Sequence, residues 1–377
     1  MFIETTVNQS VASLALGIAT CVIVGLLRVK SPEINDDILE LVLTKTAPDA
    51  ASEQLKDCLT CERKLNGVDL IITKDPKVAD YIFNGRYQRN YTRRPATIEG
   101  LKKLGMHNQG LIWNNNTDGW KSVRSVFQLS LNDVNMEKAV GVIKSEAIGI
   151  IESSTNEAGS IDMMSVCRRL TFRATLSTFF GIESSDFVKT GIQENDYIDA
   201  IINYFKAWEY FLLRPETHWD ASLERKHSMA VKELQRHVKE MLDSIALNSP
   251  ATPKHGLFVD QLRETHKHQN PESLVQSALE MMIAGTDTSS VTSYYALLGI
   301  APNRELQTLL RQDVLSCGAS KSKLLRSVID ETLRFKPVGP VVLREAVKDD
   351  PNFPGANVTK GTAILIHLAD MNVCESF

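Results

Sequence analysis

Ala284-Gly285-Thr286-Asp287-Thr288 places a glycine, a carboxylic acid and two hydroxyls on adjacent positions inside a long apolar run. Gly285 permits close approach of a ligand and loosens a helix locally, leaving a groove for it. Asp287 can act as a general acid, and the Thr288 hydroxyl can donate a hydrogen bond to a bound ligand oxygen. A plainer arrangement, in which the hydroxyls bond back to carbonyls four residues earlier and Asp287 faces solvent, is equally compatible with this spacing.

Further along, Glu331 and Arg334 stand three apart, the spacing of an ion pair on one helix. Leu324, Leu325, Val328, Ile329, Leu333 and Phe335 around them predict a largely buried helix ended by Pro337, so the pair would be a buried one kept for conformational specificity. Arg344 follows on a short strand, where a guanidinium can meet a carboxylate through two parallel bonds. Upstream, Trp120 and Arg124 lie one helical turn apart and can direct N–H donors at a single anion, with Arg94 as a further donor. Taken singly, each has an ordinary structural alternative: a surface ion pair, or a core tryptophan beside a surface arginine.

The elements that position these residues are mainly helical. Pro271 at a first helical position, Asn270 as its cap, Glu272 at the positive end and Pro302 as the stop delimit a helix of about thirty residues, some 45 Å long, whose middle must lie deep inside a domain. That middle is Gly285 to Ser290, and so many polar residues there are costly unless they are used. Apolar residues recur at helical spacing from Glu137 to Phe180, Tyr197 to Leu213 and Met229 to Ala246. Asn66-Gly67 reads as a turn before a strand at Val68 to Thr73, and Pro76 to Phe83 as a short helix. Val341 to Leu343 and Ala363 to Leu368 read as strands.

A chain of 377 residues, 43% apolar and 23% charged, is long and apolar enough to bury a core, and a net charge of −4 excludes a nucleic-acid partner, which needs clustered positive charge. Six cysteines at irregular spacing form no disulfide framework, and neither Cys58/Cys61 nor His266/His268 has the companions of a metal site. Val11 to Leu27 carries no charge, which predicts an uncleaved membrane helix. Arg28 and Lys30 after it place the rest of the chain in the cytosol. Asn8-Gln9-Ser10 is a glycosylation sequon on the lumenal side.

Trp120-x-x-x-Arg124, then Ala284 to Thr288 in a long helix, then Glu331-x-x-Arg334 and Arg344, in that order, resemble the haem-thiolate monooxygenases of the cytochrome P450 superfamily. Within it, Gly105 to Asn116, Tyr204 to Trp208 running on to Arg214-Pro215, Glu280 to Thr288 and Pro337 to Asp350 are similar to the aromatases, over roughly residues 61–373. The resemblance implies a mainly α fold with small β-sheets, the cytochrome P450 fold, incomplete at its C-terminal end and preceded by the membrane helix. Its parts would be residues 1–30 (lumenal end and anchor), 31–60 (a divergent linker of unassigned role) and 61–377 (the family domain). It implies haem, with propionates held by Arg94, Trp120, Arg124 and Arg344 and the ring beside Ala284 and Gly285. Oxygen activation would fall to Asp287 and Thr288, and Glu331 with Arg334 would form the structural pair. The substrate, a steroid or similar lipophile, would lie among Ile112, Trp113, Phe205, Trp208, Asp287, Val342 and Leu343. Electrons would come from an NADPH-dependent flavoprotein reductase at the endoplasmic reticulum membrane.

The chain departs from the aromatase pattern at Thr286, where aromatases have proline, and at Pro340, where they have an acid. The family's axial cysteine sits in a glycine-containing loop. Cys374, in Met371 to Phe377, lacks those neighbours, so no metal ligand is expected within this chain and the chain alone is expected to be inactive. Two other readings fit the residues: a monooxygenase of the same fold acting on another lipophile, and a non-catalytic binder of hydrophobic ligands.

Overall fold

The computed structural model describes residues 47–65, 68–85, 87–157, 159–213, 216, 219–248, 257–265 and 271–374. The expected anchor at 11–27, the sequon, the Asn66-Gly67 turn, the Asn270 cap, Arg214-Pro215 and His266/His268 lie outside the described residues. Among the described residues no helix is long and apolar enough to cross a membrane. The chain forms two compact units, one of residues up to Leu104, Phe205–Ser228 and Leu333 onward, the other of Gly105–Tyr204 and Met229–Thr332.

In chain order, α1 spans Ala47–Gln54, β1 Thr60–Leu65, β2 Val68–Thr73, α2 Pro76–Phe83, α3 Ile98–Leu104, α4 Thr117–Ser130, α5 Asp133–Ser154, α6 Met163–Thr175, α7 Glu194–Leu213 and α8 Ala221–Asn248. Then come α9 Phe258–Thr265, α10 Pro271–Ile283, a π-turn at Ala284–Thr288, α11 Ser289–Ile300, α12 Arg304–Cys317, α13 Lys323–Phe335, β3 Val341–Glu345, β4 Ala363–His367 and α14 Leu368–Val373.

The first unit holds a four-stranded sheet in the order β1-β2-β4-β3, with β2 and β4 parallel and the outer pairs antiparallel. β4 is buried at every position, which explains why Ala363 to Ile366 reads as an unbroken apolar run rather than an alternating one. β1, Thr-Cys-Glu-Arg-Lys-Leu, is an edge strand whose Glu62, Arg63 and Lys64 are exposed, so its polar sequence carries no strand signal. α2 starts on Pro76, with Asp75 accepting the Lys77 amide at 2.9 Å. It lays Val78, Ala79 and Ile82 on Ile71, Ile364 and Ile366 of the sheet. Asp350, 1% exposed, accepts hydrogen bonds from Tyr91 at 2.7 Å and Tyr81 at 2.9 Å beside this cluster.

The second unit is built on α6, which packs against α5, α11 and the π-turn. Asp162 caps α6 by accepting the amides of Met164 and Ser165. The helical run expected from Glu137 to Phe180 is two helices separated by residues 155–162, because Asp162 starts a new helix where periodicity alone sees continuity. Phe127 and Phe180 meet Phe258 of α9 edge to face.

α13 corrects the sequence expectation. None of its residues is buried, Glu331 and Arg334 are exposed, and Phe335 is 60% exposed. Its apolar residues form two stripes. Leu324, Leu325 and Val328 are half-buried, whereas Ile329 and Leu333, four apart, point outward. Counting apolar residues along a helix does not say how many faces are covered. Arg334 donates to the Asn372 carbonyl at 2.7 Å, within the first unit.

Candidate active site

The long helix is continuous from Pro271 to Ile300, and its middle opens into the π-turn Ala284–Thr288. A π-turn widens the backbone by one residue and splits its side chains between two faces. Ala284 is exposed and Thr288 half-exposed, while Thr286 and Asp287 are 1% and 2% exposed. On the open face the Thr288 hydroxyl donates to the Ala284 carbonyl at 2.6 Å, so the back-bonding arrangement is the one observed for this residue. Asp287 does not face solvent.

On the buried face the π-turn meets α6. Thr171 donates its hydroxyl to the Thr286 carbonyl at 2.8 Å. The room made by Gly285 is taken by Thr175, since a Cβ there would stand 2.5 Å from its Oγ1 and 3.0 Å from its Cγ2. The sequence reading gave this room to a ligand. The structure gives it to a neighbouring helix.

Neither Asp287 carboxylate oxygen accepts a hydrogen bond among the described residues, nor does the Thr286 hydroxyl find a partner there. Burial pushes the Asp287 pKa up to about 7, and the charge of Arg168 on α6 opposes the shift. Arg168 is itself buried at Nε and Nη2 with no hydrogen-bond partner for either among the described residues. Its neighbour Arg169 is used differently, in an ion pair with Glu194 at 2.9 Å. Asp287 is thus a carboxyl that changes protonation near neutrality on a locally opened helix, the condition for a proton donor under physiological pH.

Two of the four expected propionate donors meet in the first unit. Arg93 and Glu345 form an antiparallel bridge, with an ion pair at 3.2 Å, which sets Arg94 opposite Arg344 of β3. Burial and the like charge of Arg94 push the Arg344 pKa down to about 10. Arg344 lies over the Phe83 ring at 5.1 Å and donates to the Leu343 carbonyl at 2.7 Å. Two guanidiniums held together against their mutual repulsion form a cradle suited to an anion. In the second unit, α4 is capped by Asn116 and carries Arg124, one helical turn on, over the Trp120 ring at 4.9 Å.

The expected pocket-wall residues divide between the units. Ile112 is half-buried and Trp113 buried in the second. In the first, Phe205 and Trp208 are buried and meet edge to face with centroids 5.4 Å apart. The pleat of β3 puts Val342 on the face of Arg344 and Leu343 on the opposite face with Val341. Glu331 and Arg334 are both exposed. Sequence reasoning assigned no role to Arg168, Thr171, Thr175 or Glu280. The double arginine inside an apolar helix at 168–169 was the one available signal.

Residues 60–374 match the cytochrome P450 family, and the chain belongs to it. Within that family it is aromatase-like. Aromatase 2 of Sus scrofa is 29% identical over 326 residues, covering 82% of this chain and 62% of the relative, and aromatase of Homo sapiens is 28% identical over the same shares. The chain therefore spans about 62% of the length of the curated relatives it matches. In fold it is similar to a zebrafish cytochrome P450 solved with abiraterone (TM-score 0.66, 17% identity, 85% of this chain and 77% of the other). It is also similar to a retinoic-acid-bound cyanobacterial CYP120A1 (TM-score 0.70, 16% identity, 86% and 73%). Family membership implies haem, and paired guanidiniums such as Arg94 and Arg344 are donors of the kind that suit a carboxylate.

Proposed function

We propose that this chain carries the oxygen-handling helix and pocket walls of an aromatase-like monooxygenase, which inserts one atom of dioxygen into a lipophilic, steroid-like molecule. The observation that carries the proposal is Asp287, a buried carboxyl near its titration point on an opened turn whose other face presents Ala284 and Thr288. Haem, when bound, supplies the redox-active iron needed to cleave dioxygen. Arg94 and Arg344, with Trp120 and Arg124, would hold its carboxylates. Asp287 holds a proton at its carboxyl, one residue before Thr288 of the open face. The Thr288 hydroxyl, once it leaves the Ala284 carbonyl, can donate there. Ile112, Trp113, Phe205, Trp208 and Val342 offer apolar and aromatic surface to a lipophile.

In the same reading the axial thiolate is none of the five described cysteines: Cys374 follows α14 in a segment without glycine. Residues 11–27 anchor the protein in the endoplasmic reticulum membrane, and a flavoprotein reductase using NADPH supplies electrons. The gene product at the full length of the relatives, reduced under carbon monoxide, should give the absorbance of a thiolate-ligated haem, and steroids should perturb the haem spectrum. A haem protein of that type perturbed by other lipophiles but by no steroid would replace the steroid with another substrate, which Thr286 in place of the aromatase proline favours. Absence of haem in a folded full-length protein would end the reading altogether.

A further inference from the structure

Glu280 sits on α10 one helical turn before the π-turn and is 1% exposed. Its Oε2 accepts the backbone amides of Leu111 at 2.5 Å and Ile112 at 3.0 Å, and its Oε1 accepts the Gln276 side-chain amide at 3.0 Å. These two backbone amides belong to an irregular segment, 105–116, which has no strand or helix to satisfy them. The segment is shaped to reach the carboxylate. Gly110 has φ +68°, and a Cβ on it would overlap Oε1, Cδ and Oε2 of Glu280. The Gly110 carbonyl then accepts the Asn114 side chain at 3.0 Å, and Asn114 Oδ1 accepts the amide of Asn116, the residue that caps α4.

We infer that Glu280 is a positioning residue. Its carboxylate clamps the backbone at 111–112 and so fixes Ile112 and Trp113 relative to residues 284–288 of the same helix. Charge-assisted bonds to two adjacent amides are stronger than neutral ones and tolerate little displacement, so a side chain that need not touch the substrate sets the place of two that would. The word "wall" for Ile112 and Trp113 rests on the functional reading above, whereas the clamp does not.

Hydrogen exchange on the unsubstituted chain should show the Leu111 and Ile112 amides protected. Glu280→Gln should raise exchange over 110–113 by about tenfold or more while peptides of α6 keep their protection, and Glu280→Asp should restore part of it. Tryptophan emission should shift in Glu280→Gln, and the shift should vanish when Trp113→Phe is added. Unprotected Leu111 and Ile112 amides in the unsubstituted chain would overturn the inference even if Glu280→Gln did not fold. An emission shift that persists in the Trp113→Phe background would also overturn it. Binding of a steroid probe to the unsubstituted protein tests the functional reading separately.

Discussion

Asp287→Asn should stabilise the protein at neutral pH and leave it unaffected in its pH-dependent part at acid pH. Burial moves the Asp287 pKa from 3.8 to about 7. Three units correspond to about 4 kcal/mol between the two protonation states. Between these values the native protein keeps the proton and the unfolded chain has lost it, so stability falls as pH rises. The penalty is absent below about pH 4, grows by about 1.4 kcal/mol per pH unit and is complete above about pH 7. Asparagine never ionises, but its buried amide costs on the order of 1–3 kcal/mol at every pH. The stability of Asp287→Asn minus that of the unsubstituted chain should therefore climb by about 4 kcal/mol from pH 4 to pH 8, on top of a constant offset. Urea unfolding of both chains at half-unit intervals measures it, and effects of all other titrating groups cancel in the difference. A flat difference, or one that falls with pH, would refute the raised pKa and with it the role of Asp287 as proton donor.

The Arg168 charge opposes the shift at Asp287, so Arg168→Met should move the upper end of that same difference profile above about pH 7; an unmoved upper end would mean the two groups do not sense each other. Gly285→Ala drives a Cβ to 2.5 Å from Thr175 Oγ1 and should cost about 1–3 kcal/mol, with Thr175→Ala recovering part of the loss in a double-mutant cycle. Although burial acts to raise the Asp350 pKa, the hydrogen bonds from Tyr91 and Tyr81 bring it below its ordinary value. A carboxylate so depressed contributes stability above its unfolded pKa and loses it on acidification. Tyr91→Phe should thus cost about 1–3 kcal/mol at pH 7 and less at pH 3, as thermal unfolding at the two pH values would show.

What could be read from the sequence was whatever repeats locally. The 271–300 helix announced itself through Pro271 and Pro302, and α2 and β2 fall on the residues expected of them, because capping and alternation act over a few positions. β1 was hidden because an edge strand with exposed Glu62, Arg63 and Lys64 needs no apolar pattern. The exposure of α13 was hidden because a stripe such as Ile329 and Leu333 is apolar whether or not anything lies on it. Asp287 and Thr288 stand out by their types and by the resemblance, but the direction of the Asp287 side chain does not. It turns toward Arg168, which lies far away along the chain. Glu280 escaped for the same reason, since its partners are backbone amides at 111 and 112 and backbone donors leave no mark on the sequence.

The central claim is that Asp287 and Thr288 handle oxygen for insertion into a steroid-like lipophile. Its most direct test is turnover by the full-length gene product, reconstituted with haem and an NADPH-dependent flavoprotein reductase, under isotopically labelled dioxygen with a panel of steroids. The account predicts one labelled oxygen in the product and a loss of product in Asp287→Asn that exceeds any loss of steroid affinity. Product whose oxygen comes from water, or turnover indifferent to Asp287, would contradict it.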